Sequence, residues 1–137
     1  MSGLEGRVAI VTGGGTGIGK GIVRRLASAR CRLLVSAANS MVGAEKLRDE
    51  LRADGVEVEV CRADLRNPDA ARSIIASAVE TYGQLDILVN NAGFTLDEPF
   101  LDGTTERWQE IFNINLMSMI TASQDAARHM IEQGSGR

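Results

Sequence analysis

The stretch Thr12-Gly13-Gly14-Gly15-Thr16-Gly17-Ile18-Gly19-Lys20 decides the fold. It stands between a β-branched run at residues 7–11 and a segment whose apolar residues Ile18, Ile22, Val23 and Leu26 recur at helical spacing. A strand therefore turns through glycines directly into a helix. Glycines at such a turn permit positive φ and let the backbone approach a ligand, while the first amides of the helix have no intrahelical acceptor and face an anion. The helix end contributes about 0.3–1 kcal/mol to a nearby negative charge. The physical expectation is a phosphate or pyrophosphate site; a tight turn without a ligand is the competing reading of the glycines alone.

Outward from this loop, short β-branched runs alternate with longer segments of helical period, the signature of stacked βαβ units. Residues 33–35, fully apolar, read as a second strand of the kind that lies inside a parallel sheet. A helix over residues 41–53 turns Leu47 and Leu51 inward and is closed by Gly55. Residues 56–60 alternate Val with Glu and predict a third strand at the sheet edge. Asn67 and Pro68 predict a helix start, with Ile74, Ile75, Ala78 and Val79 as the buried stripe up to Gly83. A fourth strand is expected over residues 85–89. The last helix runs from near Thr105 to about Gln133, and so many of its faces are apolar that burial on two sides is expected.

With 137 residues the chain has room for one domain, and 44% hydrophobic residues with only two prolines imply a packed core. Fifteen Lys and Arg against eighteen Asp and Glu give a net charge of −3, which argues against nucleic acid as a partner. No stretch approaches a membrane span, and residues 1–5 carry no signal-peptide pattern, so a cytoplasmic protein without a membrane partner is expected. Cys31 and Cys61 form no CxxC pair. Two reduced core thiols are expected, with a disulfide or metal role as the other reading, and no metal site is assigned.

Two phosphate-binding patterns compete for the loop. Gly14-x-x-x-x-Gly19-Lys20 fits most of a P-loop, but Gly21 stands where that chemistry needs a hydroxyl for Mg²⁺, and Leu88-Val89 runs into Asn90-Asn91 without a metal-binding Asp. The second pattern is Thr12-Gly13-x-x-x-Gly17-x-Gly19. Taken with Asp64-Leu65, Asn90-Asn91-Ala92-Gly93 and Asn115, it resembles the short-chain dehydrogenase/reductase family from about Gly6 onward.

The resemblance implies an α/β fold: a Rossmann-like, doubly wound parallel sheet of strand order 3-2-1-4, with helices on both faces and a nicotinamide dinucleotide at the carboxyl ends of the strands. It also implies the site. Gly13, Gly17 and Gly19 would cradle the pyrophosphate, with Ile18 adding a backbone amide. Asp64 would accept from the adenine amino group, beside Leu65, or else serve as a plain strand-end cap. Asn90, Asn91, Ala92 and Gly93 would steady the central strand end and lie along the cofactor. Asn115 is the one residue assigned to the catalytic relay, through a backbone distortion of the last helix; its amide interrupts an apolar stretch, where burial without partners is costly. His129 is expected to be an ordinary surface residue.

NAD-users of this fold place an acid at the end of the second strand, and that acid repels a 2′-phosphate. Residues 36–40 read Ser36-Ala37-Ala38-Asn39-Ser40, with neither acid nor Arg. NADP is therefore expected over NAD, with Ser36, Asn39 and Ser40 able to hydrogen-bond the phosphate.

The family's proton chemistry uses a Tyr, a Lys four residues on, and an upstream Ser. The only Tyr here, Tyr82, has Asp86 four residues later. Gly134-Ser135-Gly136-Arg137 resembles the turn before the family's fifth strand. The expectation is thus the dinucleotide-binding part of an oxidoreductase for a small carbonyl or alcohol, incomplete relative to the family fold, inactive alone and oligomeric when whole. A stand-alone binding or regulatory module, or a subunit completed by a partner, are the other readings.

Overall fold

A computed structural model describes residues 3–137. Strands β1 (Val8–Thr12), β2 (Arg32–Ala37), β3 (Val58–Arg62) and β4 (Ile87–Val89) form one parallel sheet of order β3-β2-β1-β4. Helices α1 (Gly17–Ser28), α2 (Met41–Ala53) and α3 (Ala70–Tyr82) make the crossovers. After β4 come a short 3₁₀ turn (Phe100–Asp102), then α4 (Thr105–Phe112), a π-helical turn (Asn113–Met117) and α5 (Ser118–Gln133), the last three in one continuous run.

β1 is paired on both sides, Ala9 with Leu33 of β2 and with Ile87 of β4, and all five of its residues are buried. That is why residues 8–11 are an unbroken apolar run rather than an alternation, with Thr12 closing the strand. One face of the sheet, through Val11, Leu33, Val35 and Val58, packs on Val23 of α1 and Leu47 and Leu51 of α2. The opposite face, through Val8, Ile10 and Leu34, packs on Ile74, Ile75 and Ala78 of α3 and Ala122 and Ala126 of α5. Each fully buried Leu or Ile in these two layers contributes roughly 1.5–3 kcal/mol relative to exposure.

Helices therefore cover both faces, as expected, and β3 is the expected edge strand. Its bounds differ from the alternation at residues 56–60. Val56 donates its amide to Leu51 O and closes α2, so the ladder begins two residues later. Likewise Asn67 caps a tight turn, its Oδ1 accepting from Asp69 N at 3.1 Å, and three i to i+3 bonds precede the α-helix proper at Ala70. Leu85 and Asp86, read as strand, lie just before β4: Leu85 is wholly buried, and Asp86 accepts from Val8 N at 2.8 Å and Arg7 at 2.6 Å. The backbone of Arg137 brackets the outer edge of β4, donating to Asp86 O and accepting from Leu88 N.

One expectation fails. α5 is buried on one side only, through Ser118, Thr121, Ala122 and Ala126, while Met119, Ile120 and Ile131 are exposed, as is Leu116 in the π-helical turn before it. Apolar periodicity records which faces shun water, and nothing in these residues covers the second one. Cys31 and Cys61 are both free thiols, and burial pushes Cys61 up to about 11. Among the described residues no helix is long and apolar enough to cross a membrane.

Candidate functional site

The strand order reverses between β1 and β4, and a cleft of about 530 Å³ opens at the carboxyl ends of the strands there. This is where open α/β sheets bind their ligands. Four loops build it. Gly13, Gly17, Ile18 and Gly19 line it from the β1–α1 turn, and Ser36, Asn39 and Ser40 from the end of β2. Asp64 and Leu65 line it from the end of β3, and Asn91, Ala92 and Gly93 from the end of β4.

The glycines do different work. Gly13 (φ +65°) and Gly17 (φ +51°) hold the left-handed conformation that the turn requires. A Cβ on Gly13 would also lie 2.9 Å from the Ala92 Cα, so only a glycine lets the β1 and β4 turns touch. Gly19 is buried, and a Cβ there would overlap Gly13 O and lie 2.5 Å from Asn91 Nδ2. Its part is close packing of α1 under the loop rather than contact through the turn itself. The N-cap Thr16 makes no side-chain capping bond, which leaves the first-turn amides of α1 open toward the cleft. Ile18 stands 79% exposed on the rim, an unusual place for so large an apolar side chain.

Thr12 and Asn91 lock the β1 and β4 turns together. Thr12 Oγ1 accepts from Asn91 N and Ala92 N, both at 3.0 Å, and Asn91 Nδ2 donates to Thr12 O at 2.9 Å and Gly13 O at 3.1 Å. Asn90 ties the same turn to α5, its Nδ2 donating to Ser123 Oγ at 3.1 Å.

Asn115 lies outside the cleft and behind it, in the π-helical turn that the resemblance led us to expect as a distortion. Ser118 N donates to Asn113 O, the i to i+5 bond of that turn. Asn115 is exposed rather than buried, yet its amide is fully engaged: Oδ1 accepts from Phe94 N at 2.9 Å, and Nδ2 donates to Phe94 O at 2.7 Å and Ile111 O at 3.1 Å. It fixes the segment after Gly93 against the last helical run.

Asp64 does not present a free carboxylate. Arg66 donates to it from its backbone N (3.1 Å) and from Nε (2.9 Å to each oxygen), and its Nη2 completes the fork. The Arg66 side-chain bonds hold Asp64 below the usual carboxylate range. Arg66 also faces Glu110 at 3.9 Å and accepts from Asn113 Nδ2 on its carbonyl at 2.9 Å. Sequence reasoning quoted Thr12 in the glycine pattern without giving it a role, and missed Arg66 and Glu110. A Thr closing the strand before a glycine turn, and an Arg two residues after an Asp in a turn, are the local signals for the first two.

A parallel sheet of order 3-2-1-4, a glycine turn from β1 into α1 and a cleft at the switch point define a dinucleotide-binding α/β protein. The chain belongs to the short chain dehydrogenase family, whose model matches residues 7–137. It is similar to the 2-dehydro-3-deoxy-D-gluconate 5-dehydrogenase of Escherichia coli, with 38% identity over 97% of this chain and 51% of that protein. Among solved structures it resembles a short chain dehydrogenase of Burkholderia cenocepacia in complex with NADP (TM-score 0.89, 36% identity, 92% of this chain and 51% of that one). It also resembles a Burkholderia phymatum short chain dehydrogenase/reductase in complex with NAD (TM-score 0.91, 27% identity, 98% and 48%). The chain spans about half the length of the curated relatives it matches.

Proposed function

We propose that the cleft binds a nicotinamide dinucleotide, NADP in preference to NAD, and that these residues are the cofactor-binding part of an oxidoreductase acting on a small carbonyl or alcohol. The observation that carries this is convergence: twelve residues from four separate loops, singled out from the sequence, line one cleft at the switch point. The β1 and β4 turns also meet across Gly13 with no room for a side chain, which holds two of these loops together at the cleft. The open amides at Gly17, Ile18 and Gly19 hold the pyrophosphate, and Ile18 covers it. Asp64 and Leu65 flank the adenine, while Asn39 and Ser40 take the ribose and its phosphate; Ser36, also expected there, is only 2% exposed and lies beneath them. Ala92 and Gly93 lie along the nicotinamide half, steadied by Asn91 and, through Phe94, by Asn115. When bound, the nicotinamide supplies or accepts the hydride.

Proton exchange is a different matter. Tyr82 donates its hydroxyl to Leu33 O at 2.9 Å, and burial pushes it up to about 12, so it is no acid for the reaction. With no Tyr-x-x-x-Lys in its sequence, the isolated chain binds nucleotide without turning over a substrate. The same observation favours a second reading, a dinucleotide-binding or regulatory module without catalysis. A Ser and a Tyr-x-x-x-Lys encoded after Arg137 would decide for the enzyme. The setting proposed is the cytoplasm, supported by two unpaired thiols, and the whole protein self-associates, supported by the exposed apolar side of α5. Neither nucleic acid nor membrane is a proposed partner, in keeping with the net charge of −3.

The test is a titration of the purified chain with NADPH and NADH, followed by calorimetry and amide chemical shifts. The largest shifts are expected at residues 17–19, Gly13→Val abolishes binding, and His129→Ala leaves it unchanged. Shifts centred elsewhere, or the reverse ranking of the two variants, refute the site.

A further inference from the structure

A preference for NADP, which rests on the function proposed above, raises a problem of charge. A 2′-phosphate monoester carries roughly −1.5 to −2 at neutral pH. The end of β2 offers it no cation: residues 36–40 supply two hydroxyls, one amide and two alanines. Hydroxyls alone exchange water for protein hydrogen bonds and leave most of that charge unbalanced.

The sheet register supplies a cation from the neighbouring strand. Arg62, the last residue of β3, is the register partner of Ala37. Side chains alternate along a strand, and Arg62 follows Val58 and Val60, which pack in the layer beneath α2, so it leaves the sheet on the α2 side. Its Nη1 donates to Ala38 O at 3.1 Å, which sets the guanidinium against the loop whose Ala38, Asn39 and Ser40 line the cleft. Arg62 is exposed, and among the described residues it forms no ion pair with any carboxylate. The bond to Ala38 uses one of its five donors. Arg66, the arginine that lines the cleft itself, is by contrast committed to Asp64 and Glu110. The field around Arg62 favours an anion as well. α2 begins at Met41 directly after this loop, its N-cap Ser40 makes no side-chain capping bond, and its first turn holds no acid.

We propose that Arg62 is the residue that selects NADP, its guanidinium pairing with the 2′-phosphate beside Ser40 and the opening turn of α2. The selectivity of this chain is thus carried on β3, reaching across to a β2 loop that has no charge of its own. A fork of N–H donors on a planar cation suits a phosphate geometrically as well as electrostatically, so Lys is an incomplete substitute.

The experiment compares dissociation constants of NADPH and NADH by calorimetry at one salt concentration for the purified chain, Arg62→Ala, Arg62→Lys and Arg66→Ala. For Arg62→Ala, NADPH binding weakens roughly 10- to 100-fold, the range of a charge-assisted bond to phosphate, while NADH binding stays within about twofold. Arg62→Lys falls between, and Arg66→Ala leaves the NADPH/NADH ratio unchanged. 2′-AMP against 5′-AMP repeats the comparison with the phosphate isolated. An unchanged ratio in Arg62→Ala overturns the assignment, as does equal weakening of both nucleotides, which means that Arg62 only braces Ala38. A chain that binds NADH at least as tightly as NADPH overturns it too. Failure of the unmodified chain to bind either nucleotide overturns the proposed function itself, and the two failures are thereby distinguished.

Discussion

Replacing Thr12 by Val removes one oxygen from a side chain that is 4% exposed, and the consequence should reach both stability and binding. The substitution keeps the volume and the β-branching that suit the strand. What disappears is the acceptor shared by Asn91 N and Ala92 N, at 3.0 Å each, together with the weaker 3.4 Å bond to Val89 O. Each neutral hydrogen bond contributes about 0.5–1.5 kcal/mol net, and the two amides stay partly buried with no acceptor in place of the hydroxyl. The expected loss is therefore about 2 kcal/mol, which for a chain of this size lowers Tm by roughly 6–8 °C. Because the same two amides fix Ala92 and Gly93 at the cleft, NADPH affinity should fall by roughly tenfold, or about 1.4 kcal/mol. Thr12→Ser is the control. It forfeits a buried methyl, about 1 kcal/mol, but keeps the acceptor and therefore the affinity. Thermal melting and nucleotide titration of the two variants are the assays. A Thr12→Val protein that melts within about 1 °C of the unmodified chain, or that binds NADPH as tightly as Thr12→Ser does, refutes the latch.

Two further outcomes are expected. Gly19→Ala should lose nucleotide binding and destabilise the β1–α1 turn, because the new methyl overlaps Gly13 O and Asn91 Nδ2, whereas Gly17→Ala meets open space and costs only about 1 kcal/mol of left-handed strain; equal losses would contradict this division between packing and conformation. Burial raises the Asp86 pKa, but the bonds from Val8 N, Arg7 and Gln84 outweigh it and hold the carboxyl below its ordinary value. The stability Asp86 contributes is then fully present above the unfolded pKa of about 3.9 and is lost as pH falls through the lower folded one. The Tm gap between the chain and Asp86→Asn should be constant from pH 7 to about 5 and shrink below pH 4; a gap that widens there would show the sign to be wrong.

What the sequence disclosed, and what it withheld, follows from the kind of interaction involved. β1 and β2 were legible because a strand buried on both faces must be apolar without interruption, and the turn from β1 to α1 because few residues other than glycine tolerate its φ angles. The start of β3 was displaced by two residues because Val56 satisfies either a strand pattern or the close of α2, and only the hydrogen bond to Leu51 O decides. The second face of α5 was misjudged for a plain reason: periodicity names the face and says nothing of its cover. Arg62 stood two residues before the recognised Asp64, and Arg66 one residue after the recognised Leu65. Their importance lies in where long side chains lead across a register and a turn, which spacing along the chain does not encode.

The cleft is framed by loops from strands that do not all neighbour one another, so the backbone ladder cannot fix their relative positions. That task falls to hydrogen-bonding side chains, Thr12 at the end of β1 and otherwise asparagines. Asn91 holds the β4 turn to the β1 turn, Asn90 holds it to α5, Asn115 holds residue 94 to the last helical run, and Asn113 holds the Arg66 carbonyl to the same run. A carboxamide carries donor and acceptor together, so Asn115 can satisfy the N–H and the C=O of Phe94 at once, which a carboxylate, able only to accept, cannot do. An amide is also neutral. Carboxylates at these four positions would gather negative charge around a cleft whose proposed occupant is an anion, and lysines would spend donors on bracing that the ligand needs. The neutral braces thus leave the balance of charge around this end of the cleft to Arg62, Arg66 and Arg107 against Asp64 and Glu110. Arg66 is paired with Asp64, and Glu110 with Arg107 at 3.1 Å as well as with Arg66, so Arg62 is the one of these cations that has no carboxylate partner among the described residues.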